Sequence, residues 1–115
     1  MPDVVQYPEG PHEWVPASRE VKVIFRKWSD GTITALFPEI PSDFSGWSCV
    51  SYEHMGQHGA ANCSRVMSVT REASPEEYKA LLRELGQIGY ARLRIVKRMT
   101  RQMLKARRGW QAPPI

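Results

Sequence analysis

Glu20-Val-Lys-Val-Ile-Phe-Arg-Lys-Trp-Ser-Asp-Gly-Thr-Ile-Thr-Ala-Leu-Phe37 sets two β-branched and aromatic runs around one Asp-Gly pair. Asp-Gly between apolar runs is the strongest short-range hairpin signal, because a type I′ turn needs φ > 0 at both central positions. The stretch therefore predicts strands over 20–28 and 32–37. With Asp30 and Gly31 as the turn pair, Trp28 faces Ile33, Arg26 faces Ala35 and Ile24 faces Phe37.

Upstream, residues 1–19 hold Pro2, Pro8, Pro11 and Pro16. Proline fixes φ and removes a donor, so this segment predicts an extended arm that Trp14 and Val15 pin to the body. Downstream, the Pro, Ser and Gly of residues 38–46 predict a loop. Residues 47–54 read as a third strand, the Gly-rich 55–62 as irregular, and 63–70 as a fourth strand. Ser74-Pro75-Glu76-Glu77 then carries an N-cap, a proline at the first helical position and a glutamate three residues after the cap. Tyr78, Leu81, Leu82, Leu85 and Ile88 follow at helical spacing, and Gly89 suits a left-handed cap. A helix over about 75–88 results. Residues 91–97 fit a strand or a helix. The strand is favoured, followed by a basic helix over 98–108. The expected fold class is α+β: an antiparallel sheet of four or five strands with one packed helix, plus a short basic C-terminal helix. Its divisions are an arm (1–19), a domain (20–97) and a basic segment (98–115).

Length and composition bound the rest. A chain of 115 residues suffices for one core. No apolar run is long enough to cross a bilayer, and residues 1–10 lack the basic and apolar regions of a signal peptide, so a cytoplasmic location is expected. In a reducing cytosol the two cysteines read as free thiols or metal ligands.

The net charge of +4 hides an asymmetry. Residues 1–91 hold 8 Lys/Arg against 12 Asp/Glu, whereas 92–115 hold 8 Lys/Arg and no Asp/Glu. A basic tail on an acidic body points to a polyanion: nucleic acid, an acidic protein or an anionic membrane surface. The plainer reading is a solvated tail that aids solubility. At 100° per residue, Leu93, Ile95, Val96, Met99, Met103 and Leu104 share one arc. Arg94, Lys97, Arg98, Arg101, Lys105 and Arg108 share the other. These six and Arg107 are the candidate anion-binding residues, with Trp110 as a stacking surface. The apolar arc also suits packing on the body or on a second subunit. No helix-turn-helix, zinc-finger or RNP-type signature is present, so readout of a specific base sequence is not expected.

Cys49, His54, His58 and Cys63 form a Cys-x4-His-x3-His-x4-Cys series. Two thiolates and two imidazoles would complete a tetrahedral zinc shell, although the spacing matches no standard finger. Structural roles compete: His54 capping a strand, His58 bonding turn backbone, Cys49 as a small buried apolar residue. Tyr52, His54, Gln57 and His58 beside glycines form a candidate pocket for a small nucleotide-like ligand, in a homo-oligomeric sponge. No P-loop, dinucleotide fingerprint or paired-carboxylate motif is present, so a binding protein is favoured over an enzyme.

Residues 22–39, 49–60 and 74–90 together resemble small proteins of unassigned function from bacteriophages and bacterial mobile elements. The resemblance spans about residues 21–97. It implies an accessory protein that acts by binding, blocking a host defence protein, sequestering a signalling nucleotide or modulating transcription. The proline-rich arm and the basic stretch after Arg98 depart from that pattern. Cys63 departs from it too, which counts against a shared four-ligand zinc site.

Overall fold

The structure, a computed structural model, describes residues 20–42, 47–53 and 58–109. Strands β1 (Glu20–Lys27) and β2 (Ile33–Pro41) form the expected hairpin. Strands β3 (Cys49–Glu53) and β4 (His58–Ala61) extend it, helix α1 (Cys63–Val69) follows, and β5 (Arg71–Glu72) leads into helix α2 (Pro75–Gln87). Strand β6 (Arg92–Ile95) and helix α3 (Arg101–Arg108) complete the chain as described. The sheet runs β4-β3-β2-β1, and β1's other edge is shared. Strand β6 pairs in parallel with its N-terminal half, and β5 pairs antiparallel with its end. All other pairings are antiparallel. The fold class is α+β, with six strands and three helices among the described residues.

The hairpin register is one residue away from the expected one. Ile24 pairs with Leu36, Phe25 with Ala35, Arg26 with Thr34 and Lys27 with Ile33. The Gly31 N–H donates to the Trp28 carbonyl at 2.9 Å, and Trp28 N–H donates to Thr32 O at 2.9 Å. The loop therefore holds three residues, Ser29 to Gly31, with Gly31 at φ 96°. This is the turn followed by a left-handed residue that suits three-residue hairpins. Core patterning requires it. A one-residue slip would pair side chains meant for opposite faces, and here both faces are buried.

Val21, Val23, Phe25, Ala35, Phe37, Val50 and Tyr52 face α2, whose Leu81 and Leu85 are buried against them. Burial of each leucine contributes about 2 kcal/mol. Tyr78, half-buried, stacks on Phe25 with ring centroids 4.4 Å apart. Ile24, Leu36 and Cys49 face the other way, toward Cys63 and Val66 of α1 and toward Met99. Helix α3 also packs on this side, and its Met103 is buried.

Two expectations are corrected at residues 55–70. Residues 58–61, expected to be irregular, form β4, and 63–70, expected to be a strand, form α1. The small side chains of Gly59, Ala60 and Ala61 let β4 pair by its backbone with β3. The α1 start is set by Asn62, whose side-chain oxygen accepts the Arg65 N–H at 3.0 Å. At the other end Arg26, nearly buried, donates from Nη2 to Thr70 O at 2.6 Å and to Met67 O at 3.3 Å. A guanidinium on the orphan carbonyls of a helix C-terminus satisfies them and complements the helix dipole. The loop expected from residue 38 also begins later, since β2 continues through a register irregularity to Pro41.

Helix α2 begins with the expected capping box between Ser74 and Glu77. Gly89 has φ 117° just past its end. Glu77 also accepts from Arg71 Nη2 at 2.8 Å and from Lys27 Nζ at 2.6 Å. The Arg71 hydrogen bonds, then Lys27 and the Ser74 N–H, hold its carboxyl well below the usual carboxylate range. A depressed folded-state pKa contributes stability above the unfolded value, about 4.3, and loses it as pH falls below that value. Glu77→Gln is expected to flatten the fall of melting temperature with pH below about 4.3. Parallel wild-type and variant curves across that range would show that Glu77 carries none of it.

Candidate nucleic-acid interface

Parallel pairing with β1 fixes which way β6 presents its side chains. Leu93 is opposite Val21, so it lies on the α2 face and packs against that core. Arg92 and Arg94 are opposite Glu20 and Lys22, and alternation places them on the other face. The same face carries α1 and α3. Both arginines are exposed.

Helix α3 divides its cations in two. Arg101, Lys105 and Arg108 recur at i, i+4 and i+7, which is one stripe of a helix, and all three are exposed. Met103 and Arg107 lie on the opposite stripe and are buried. Thr100 starts the helix by accepting the Met103 N–H at 3.2 Å. Arg107 Nη1 donates to the Pro38 carbonyl of β2 at 2.9 Å. Of the seven sequence candidates, Arg107 is thus turned into the body. Lys97 lies 3.5 Å from Glu72, both well exposed, a pairing of little energetic weight. Arg108 sits 5.0 Å from the ring centroid of Trp47, a cation–π contact that leaves its charge at the surface.

Among the described residues no carboxylate pairs with Arg92, Arg94, Arg98, Arg101 or Lys105. Residues 92–109 contain no Asp or Glu at all. Glu20 lies beside Arg92 in register and Glu39 pairs with Lys22 beside Arg94. Arg98, Arg101 and Lys105 are instead exposed and, among the described residues, outside any ion pair, so they can neutralise phosphates and release condensed counterions without first breaking one.

No known protein family, curated protein or solved structure matches the chain.

The Cys/His series is split by the sheet. Cys49 and Cys63 come together as a disulfide, with Cα atoms 6.1 Å apart, on the α1/α3 face. The free-thiol reading is corrected by this bond, and a disulfide has no thiolate to offer a metal. His58 lies on the α2 face, opposite Tyr52 in register, with its Nε2 2.6 Å from Tyr90 Oη. His54 and Gln57 lie outside the described residues, as do Trp14, Val15 and Trp110. Among the described residues no three His, Cys, Asp or Glu side chains gather as a metal site.

Of the candidate pocket, Tyr52 and His58 do meet, with ring centroids 5.1 Å apart. Tyr90 stacks on Phe37 beside them at 5.0 Å. The Tyr52 hydroxyl donates to Glu84 of α2. Burial, followed by that carboxylate, pushes the phenol's pKa above its ordinary value. Tyr52 and Tyr90 are almost wholly enclosed. The group joins the β3–β4 end of the sheet to α2.

Arg92 and Trp47 belong to the cationic face and are absent from the sequence-level candidates. Arg92 falls on it because the strand period is two, which places it beside Arg94. Nothing in the sequence places Trp47 near Arg108, a contact between residues far apart in the chain.

Proposed function

We propose that this protein is a binding protein rather than an enzyme, and that it holds a nucleic acid by its phosphates. The observation that carries the reading is the exposed set Arg92, Arg94, Arg98, Arg101, Lys105 and Arg108, on a segment without a carboxylate. The resemblance to phage and mobile-element proteins supplies the context of an accessory protein. Binding through phosphates needs no base-specific groups, in keeping with the lack of a sequence-reading motif.

Deleting the C-terminal segment would not test this cleanly, because Met103 and Arg107 belong to the packed body. The exposed stripe can be altered alone. Arg101→Ala, Lys105→Ala and Arg108→Ala combined is expected to leave the melting temperature nearly unchanged. It should weaken binding to a short oligonucleotide at ~50 mM salt by on the order of tenfold or more. Unchanged affinity in a folded triple variant would remove the cationic stripe from the function.

A further inference from the structure

Helix α1 and the start of α3 stand apart on the cationic face, and an open groove of about 530 Å³ lies between them. Its floor is Met67, Met99 and Leu104, all half-buried. Arg98 and Arg101 line its rim, and Ser64 of α1 lines the opposite wall. Met67 and Met99 also pack against the buried group of Ile24, Leu36, Cys49, Cys63 and Val66, so the floor is anchored from below.

We infer that this groove seats one unpaired base of a single-stranded nucleic acid, while the neighbouring phosphates lie on the α3 stripe. The inference rests on the proposed nucleic-acid reading and deepens it. Three features carry it. The groove is lined by three apolar side chains, Met67, Met99 and Leu104, and thioethers contact aromatic rings favourably. The rim carries two guanidiniums, which stack on bases as well as pairing with phosphates. Arg101 belongs both to the rim and to the stripe, and Lys105 lies about 6 Å further along the helix axis. A strand with a base in the groove therefore meets the next cation without turning.

Charge complementarity selects the same class. Arg65 is the one charged residue of α1, and residues 92–109 add eight cations and no carboxylate. An acidic amphipathic helix is the main competitor, but such a helix docks through anchors at i, i+3, i+4 and i+7 along a continuous apolar groove. Here the apolar lining is three side chains, with Arg98 and Arg101 beside them. A duplex hides its bases from a groove of this kind and can use only the cations.

The test compares three probes of equal charge by fluorescence anisotropy: a short oligothymidylate, the same length of abasic phosphodiester, and a duplex. The expected result is oligothymidylate binding about tenfold tighter than the abasic strand, the scale of one stacked base. Ser64→Leu fills the groove from an exposed helical position where leucine is a good helix former. It should bring the oligothymidylate down to the abasic level and leave the abasic strand and the duplex unaffected. Equal binding of oligothymidylate and abasic strand by the unaltered protein overturns the base site and leaves the phosphate reading standing. No binding of any probe at ~50 mM salt overturns both. A short acidic amphipathic peptide that binds tighter than oligothymidylate, and loses binding in Ser64→Leu, assigns the groove to a protein partner and overturns the base site.

Discussion

Loss of the Cys49–Cys63 disulfide is expected to lower the unfolding free energy by about 3 kcal/mol, the scale for a closed loop of roughly 15 residues. The bond ties the first residue of α1 to the start of β3 and closes a loop that contains β4. In the unfolded chain that closure removes conformations. In the folded one it holds α1 against the sheet. Both cysteines are fully buried beside Ile24, Leu36 and Val66, so the bond is shielded from thiol attack until the region opens. Urea unfolding of the wild type, oxidised and reduced, alongside a Cys49→Ala, Cys63→Ala double variant, measures the effect. The reduced protein and the variant should share a lower midpoint. Coincident curves for oxidised and reduced protein would mean that packing alone holds α1.

Arg107→Ala is expected to cost about 2–3 kcal/mol, while Arg101→Ala stays within about 0.5 kcal/mol of wild type. The two arginines are six residues apart on one helix, yet their surroundings are opposite. The Arg107 side chain is enclosed and its guanidinium donates to Pro38 O. Truncation leaves that carbonyl unsatisfied and opens a cavity between α3 and β2. Arg101 is exposed, and among the described residues no carboxylate pairs with it. Chemical denaturation of the two single variants separates them. Equal stabilities would contradict the inward placement of Arg107.

The hairpin and α2 were legible because their signals are local. Asp30-Gly31 marks a turn, and Ser74, Pro75 and Glu77 mark a helix start within four residues. The register was not legible, since Asp-Gly serves both two-residue and three-residue loops. Only the burial of Ile24 and Leu36 on one face and Phe25 and Ala35 on the other distinguishes them. Helix α1 was hidden by its own composition. Val66, Met67 and Val69 suit a strand as well as a helix, and Asn62 was the one local sign of a start. Strand β4 was hidden because glycine and alanine have low strand preference, and its pairing with β3 is a tertiary matter. The cationic segment was legible as a charge imbalance, and its 100° spacing already sets Arg107 four residues after Met103 on the inward stripe. The disulfide and the opposite placement of His58 were not legible, because chain spacing does not say which face of a sheet a residue takes.

A salt titration of binding to a short single-stranded oligonucleotide tests the phosphate reading most directly. If Arg92, Arg94, Arg98, Arg101, Lys105 and Arg108 each meet a phosphate, log K falls linearly with log salt at a slope of about −4. Affinity then drops by two to three orders of magnitude between ~50 and ~200 mM salt, and the triple alanine variant reduces the slope by about 2. A slope near zero, or no binding at ~50 mM salt, would contradict a nucleic-acid role for this face.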